Sequence, residues 1–173
     1  MARTRFTRED LEQLPEDRRA ELHEGDLVMV PAPDPYHQRI VGDLHAALRD
    51  VVGRDRVLIA PTDVVLDEET VLQPDLLVLP TGTRASRRPW RIPAPVWIAE
   101  VLSPQTAERD RGPKLRLYAR LGVREAWLVD PDAASIEVRD LQSGTATFFR
   151  SGEKARSATL AGFAVDVTEL FAV

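Results

Sequence analysis

A chain of 173 residues, 43% hydrophobic and 29% charged, has the size and balance of one globular domain spanning residues 1–173. Its formal charge of −5 argues against a surface that binds nucleic acid all over, while leaving room for a local basic face. No run of about 18 apolar residues occurs and MARTRFTRED lacks the apolar core of a signal segment, so a cytoplasmic protein without membrane association is expected.

Thr7 and Asp10 have the spacing of a capping box, which predicts a short helix through about Leu14. AELHEGDLVMV reads as a hairpin turning at Glu24-Gly25-Asp26, after which Pro31, Pro33 and Pro35 break the chain. Asp34 as N-cap and Pro35 at the first helical position open a helix. Its apolar stripe is Ile40, Val41, Leu44, Leu48 and Val51, and it ends near Gly53. Three runs rich in Val, Ile and Leu, from Val57 to Leu66, Val71 to Leu79 and Val96 to Leu102, are expected as buried strands, with a turn at Asp67 to Thr70. A second long helix is expected from about Arg111 to Leu121, with Asp110 as N-cap and Gly122 as its stop. The reason is Pro113, which is tolerated in a first turn but costs about 3 kcal/mol inside a helix begun at Thr106. EAWLVD, SIEVRDL and ATFFR follow as strands, and Phe163 to Phe171 closes an α/β sandwich.

Three charges interrupt this pattern. Asp75 sits in VLQPDLLVLP, Glu100 in VWIAEVL, and Lys114 opens KLRLYARLG. Removing a carboxylate from water costs several kcal/mol unless something pairs with it, and a divalent cation is such a partner. With no cysteine and no H-E-x-x-H pair among His23, His37 and His45, any metal would be held by oxygen, which selects Mg²⁺ or Mn²⁺ over zinc. Lys114 is one of two lysines among 23 basic residues, and a lysine kept against that bias offers a compact ammonium able to hold or deprotonate a water. Carboxylates on adjacent strands with a lysine on the adjoining helix suit phosphodiester hydrolysis. The ordinary alternatives stand beside this reading: Asp75 as a turn residue after Pro74, Glu100 paired with a buried arginine, Lys114 on the surface paired with Asp110, and Tyr118 and His37 as structural residues. Trp97 and Trp127 read as core. Arg84, Arg87, Arg88 and Arg91, gathered around Trp90, suit either phosphate contact or a solvated loop.

PDLLVLP followed by IAEVLSPQTAERDRGPKLRLYARLGVREAWLVD resembles the Uma-two putative restriction endonuclease family of the PD-(D/E)XK nuclease superfamily. RRAELHEGDLVMV and DPYHQRI match its hairpin and its histidine-bearing helix, so the resemblance covers about residues 7 to 171. It implies a restriction-endonuclease-like sandwich: a central mixed β-sheet flanked by helices, with an N-terminal β-hairpin and a C-terminal β extension. It further implies an Mg²⁺-dependent (or Mn²⁺-dependent) DNA endonuclease in which Asp75 and Glu100 bind the metal and Lys114 positions the attacking water. Lys114 would replace the lysine that normally follows the glutamate by two residues, where Leu102 stands here. Glu21 is a weaker candidate metal ligand, and His37, Asp110 and Tyr118 match family positions in supporting roles. A homodimer would supply two related sites for cutting two strands. The alternative is a catalytically inactive binding or regulatory module that keeps the nuclease fold.

Overall fold

The computed structural model describes residues 5–15, 18–83 and 92–172. The chain begins with α1 (Arg8–Glu12), capped by Asp10, whose Oδ2 accepts the Thr7 N–H at 2.7 Å. A hairpin of β1 (Ala20–His23) and β2 (Asp26–Met29) turns at Glu24 and Gly25, both at positive φ, and α2 (Pro35–Val52) follows with Asp34 as its N-cap. Next come β3 (Val57–Ile59), β4 (Val64–Asp67), β5 (Thr70–Leu72), β6 (Leu76–Val78) and β7 (Trp97–Val101). A helical crossover of α3 (Ala107–Arg109) and α4 (Leu115–Leu121) leads to β8 (Glu125–Asp130). The chain ends in β9 (Ser135–Asp140), β10 (Ala146–Arg150), β11 (Lys154–Arg156), β12 (Ala164–Asp166) and α5 (Val167–Phe171).

The strands form a central six-stranded sheet ordered β10-β9-β8-β7-β6-β3, a four-stranded sheet ordered β2-β1-β5-β4, and the pair β11-β12. Among the described residues only β7 and β8 run parallel, as a helical crossover requires, so the central sheet is mixed. Alternation along β7 splits the core into two layers. Trp97, Ala99 and Val101 pack with Ile40, Leu44 and Leu48 of α2, whereas Ile98 and Leu102 pack with Leu115, Leu117 and Tyr118 of α4. Glu100 has the parity of the second set and therefore faces α4.

Three expectations are corrected. The first two apolar runs are four strands, because Pro61 and Pro74, lacking an N–H, interrupt each ladder and the chain changes sheets there. Val51 is 42% exposed, since Val52 takes the place at the edge of the core at the end of α2. The crossover helix starts at Ala107 and not at Arg111, so Asp110 lies within it. Residues Asp110–Lys114 form a wide π-helical turn. In a regular α-helix the Pro113 ring would strike the Arg109 carbonyl; the wider turn relieves that clash, and the helix runs on to Gly122 at φ 92°.

Candidate active site

The chain's sheet change at Pro74 brings the entrance of β6 beside β1, and the π turn lies over the end of β7. Between them opens a cleft of about 280 Å³ lined by Glu21, His37, Asp75, Glu100, Asp110 and Lys114 among others. The π turn is tied down by Arg111, whose guanidinium reaches Asp130 Oδ2 at 2.5 Å and Glu137 Oε2 at 2.8 Å on β8 and β9.

Lys114 is the hub. Its side chain is 4% exposed, and Nζ lies 2.7 Å from Glu100 Oε1, 3.0 Å from Glu21 Oε1 and 3.6 Å from Asp110 Oδ1. Glu100 Oε1 also accepts the Tyr118 hydroxyl at 2.5 Å. Glu21 Oε1 accepts the Gln73 N–H at 2.6 Å, and its Oε2 lies 2.9 Å from His23 Nε2. Asp75 stands slightly apart: its Oδ2 accepts the Val101 N–H at 2.8 Å and lies 3.2 Å from His37 Nε2 in the first turn of α2. The Val101 contact holds the Asp75 carboxylate against the backbone next to Glu100.

Burial works against charge throughout this cluster, and the neighbours decide each outcome. Burial pushes the Glu100 carboxyl well above the usual carboxylate range; Lys114 opposes this, while Asp110, Asp75 and Glu21 add to it. Burial alone would raise Glu21, but Lys114, His23 and the Gln73 amide outweigh it and hold the group down at about 2. Desolvation would lower Lys114, yet Glu100, Glu21 and Asp110 together raise it, so its ammonium is firmly charged. Burial raises Asp110 as well. His37 is raised because Asp75 and Asp34 overcome its desolvation.

The fold thus brings Asp75, Glu100, Lys114, Glu21, His37 and Asp110 to one cleft, with Tyr118 buried behind Glu100. Lys114 is not on the surface, and the partners of Glu100 are a lysine and a tyrosine, not an arginine. Arg84, Arg87, Arg88 and Arg91 lie outside the described residues. Sequence reasoning missed two other cleft cations, Arg19 and Arg109. A signal for the first existed, because strand alternation puts Arg19 on the same face as Glu21.

Among the described residues no three His, Asp or Glu side chains converge as a ready-made metal cage. An Mg²⁺ ion does not need one, since it takes one or two carboxylates and fills its shell with water and phosphate oxygens. The cleft lining supports such an ion by its chemistry: five carboxyl groups, those of Glu21, Asp34, Asp75, Glu100 and Asp110, outnumber the basic side chains Arg19, His37, Arg109 and Lys114, so oxygen ligands are in surplus. Asp110 Oδ1 is also buried without a hydrogen-bond partner. The donor set therefore fits a divalent ion held by two carboxylates.

A mixed sheet flanked by helices, with a carboxylate-lysine cleft at the end of its parallel pair, defines the class as restriction-endonuclease-like. The fold matches the crystal structure of a putative nuclease belonging to DUF820 from Anabaena variabilis ATCC 29413 with a TM-score of 0.80, at 20% sequence identity, over 96% of this chain and 97% of that one. Residues 8–168 match the Uma2 family, described as putative restriction endonuclease, and the chain belongs to that family. No curated protein matches it. The resemblance drawn from PDLLVLP and the run after Ile98 is borne out, as is the fold it implied. No helix among the described residues is long and apolar enough to cross a membrane.

Proposed function

We propose that the protein is a metal-dependent endonuclease that hydrolyses DNA phosphodiester bonds in this cleft, the whole chain serving as one nuclease domain. The observation that carries this reading is the buried Lys114 ammonium clasped by Glu100 and Glu21 beside Asp75, in a chain of this family. Asp75 and Glu100 would hold Mg²⁺ or Mn²⁺, which when bound supplies positive charge to the phosphate and acidifies a water. Water oxygen attacks phosphorus, the bond to the 3′ oxygen breaks, and the products are a 5′-phosphate and a 3′-hydroxyl.

The role of Lys114 follows from its charge. An ammonium surrounded by three carboxylates cannot act as a base, so it donates. Two of its three N–H groups meet Glu100 and Glu21, and the Asp110 oxygen at 3.6 Å is too distant to take the third, leaving a donor for the attacking water or a phosphate oxygen. Tyr118 fixes the orientation of Glu100, and His37 with the Val101 amide fixes that of Asp75. With both oxygens engaged, Glu21 acts first as the counter-ion that holds Lys114 in place. A homodimer acting on both strands is compatible with this scheme.

One observation favours the inactive binding module instead: Lys114 already neutralises part of the carboxylate cluster without any metal. Calorimetric titration of wild type and Asp75→Ala with Mn²⁺ separates the two. The nuclease reading expects saturable binding that the substitution weakens strongly, together with Mg²⁺-dependent or Mn²⁺-dependent cleavage of duplex DNA. Binding that is absent, or indifferent to the substitution, sinks it.

A further inference from the structure

The cleft contains two cations that the scheme above leaves unused. Arg19 continues the β1–β2 ladder by one residue, its carbonyl accepting the Val30 N–H at 2.9 Å, and Arg109 ends α3 immediately before the π turn. Both side chains line the cleft. Each has a buried Nε without a hydrogen-bond partner, and neither has a carboxylate within 4 Å among the described residues.

That combination sets them apart. Arg18, Arg49, Arg116, Arg124, Arg150 and Arg156 also lack such a carboxylate, but all six are exposed, where water solvates them. The other described arginines are bonded, as Arg111 is to Asp130 and Glu137 and Arg56 is to the Leu79 carbonyl. A guanidinium that is half-buried, unpaired and at a cleft lacks the anion that would offset its desolvation.

The electrostatics of the cleft say which anion that is. Lys114 is committed to Glu100 and Glu21, so Arg19 and Arg109 are the cleft cations without a carboxylate contact. Once a divalent ion offsets the excess of carboxylates, an entering phosphodiester finds its hydrogen-bonding counter-charges on these two side chains. The planar fork of arginine matches two phosphate oxygens at once. Resting on the nuclease reading, we propose that Arg19 and Arg109 form a phosphate clamp that grips the nucleic-acid backbone in the cleft, independently of base sequence.

The test measures binding of a short fluorescent DNA duplex in Ca²⁺ across a series of KCl concentrations, for wild type, Arg19→Gln, Arg109→Gln, the double glutamine variant, Arg19→Lys and Arg109→Lys. Each lost phosphate contact is expected to weaken binding about tenfold and to lower the slope of log affinity against log salt by about 1, so by about 2 in the double variant. The lysine variants keep the slope but bind more weakly than wild type. Thermal melting guards against a merely structural role: removing an unpaired, half-buried cation leaves the melting temperature of the double variant unchanged or higher. Wild type that binds and cuts duplex, with glutamine variants of unchanged affinity and slope, overturns the clamp and leaves the nuclease reading intact. Glutamine variants that bind weakly only because they melt earlier overturn it too. Wild type that neither binds nor cuts any duplex overturns both.

Discussion

Two glutamates are buried on the adjacent parallel strands β7 and β8, and the fold uses them in opposite ways. Glu125, 2% exposed at the start of β8, accepts the indole N–H groups of Trp97 and Trp127 on Oε1 at 3.0 and 2.7 Å. Its Oε2 accepts the backbone N–H groups of Ala158 and Thr159 at 2.9 and 3.0 Å. Around it Trp97, Trp127 and Phe163 pack ring against ring with centroids 5.0 to 5.7 Å apart. Glu100, 3% exposed near the end of β7, has a charged lysine and a tyrosine hydroxyl on one oxygen and lines a cleft. Burial is the same in both places. What differs is that four neutral donors from fixed elements consume Glu125, whereas Glu100 sits in a cluster whose negative charge is incompletely matched. An unmet charge beside an opening, more than burial itself, marks the carboxylate that can be given to a ligand.

The contrast breaks most sharply on activity. Glu100→Ala and Asp75→Ala are each expected to lower cleavage of duplex DNA by at least about 100-fold while the protein still folds, as circular dichroism and melting would show. Glu125→Ala is expected to behave the other way. It strands two indole and two backbone N–H groups and costs about 3–5 kcal/mol in urea unfolding, with Mn²⁺ affinity of the folded fraction unchanged. A Glu125 variant that keeps its stability but loses metal affinity would dissolve the distinction.

Lys114 offers a finer test. Lys114→Met leaves Glu100 and Glu21 buried without a cation and is expected to cost about 3 kcal/mol; adding Glu100→Gln restores part of that loss, because the two residues are coupled. Additive losses in the double-mutant cycle would deny the coupling. The smallest effect is in acid. Glu21 is held at about 2 in the folded chain against an ordinary 4.5, so it contributes stability above the ordinary value that disappears as pH falls from there toward 2. The stability of wild type over Glu21→Gln should therefore shrink, by at most about 3 kcal/mol, between about pH 5 and about pH 2. Glu100, raised by burial, has the opposite sign: its charge penalises the fold at high pH and the penalty lifts as pH falls through its raised value. A difference that stays flat through the acid range for Glu21→Gln would mean that Lys114 does not hold that carboxylate.

Much of this was legible along the chain. Thr7 with Asp10, Asp34 with Pro35, and Gly122 mark helix ends where the structure has them, because capping and left-handed turns are decided within a few residues. Asp75 and Glu100 stood out because a charge inside an apolar run is anomalous at that same range. Pro113 misled for the opposite reason: its local penalty argued for a late helix start, but Arg111 binding Asp130 and Glu137 holds a widened turn that accommodates the ring. Glu125 carried no such mark at the edge of EAWLVD, since three of its four donors come from two distant segments, Trp97 on β7 and the Ala158 and Thr159 amides.

By itself, then, the sequence determined the hairpin, both ends of α2, the stop of α4 at Gly122 and the two carboxylates worth watching. Each follows from rules that act over one turn or one strand. Only the tertiary structure decided that Pro61 and Pro74 send the chain between sheets, that Glu21 meets Lys114 from the far end of the chain, and that Arg19 and Arg109 share one cleft. These are pairings between distant segments. Their chemistry depends on how much water and how many opposite charges the packed elements leave around each group, which no local pattern encodes.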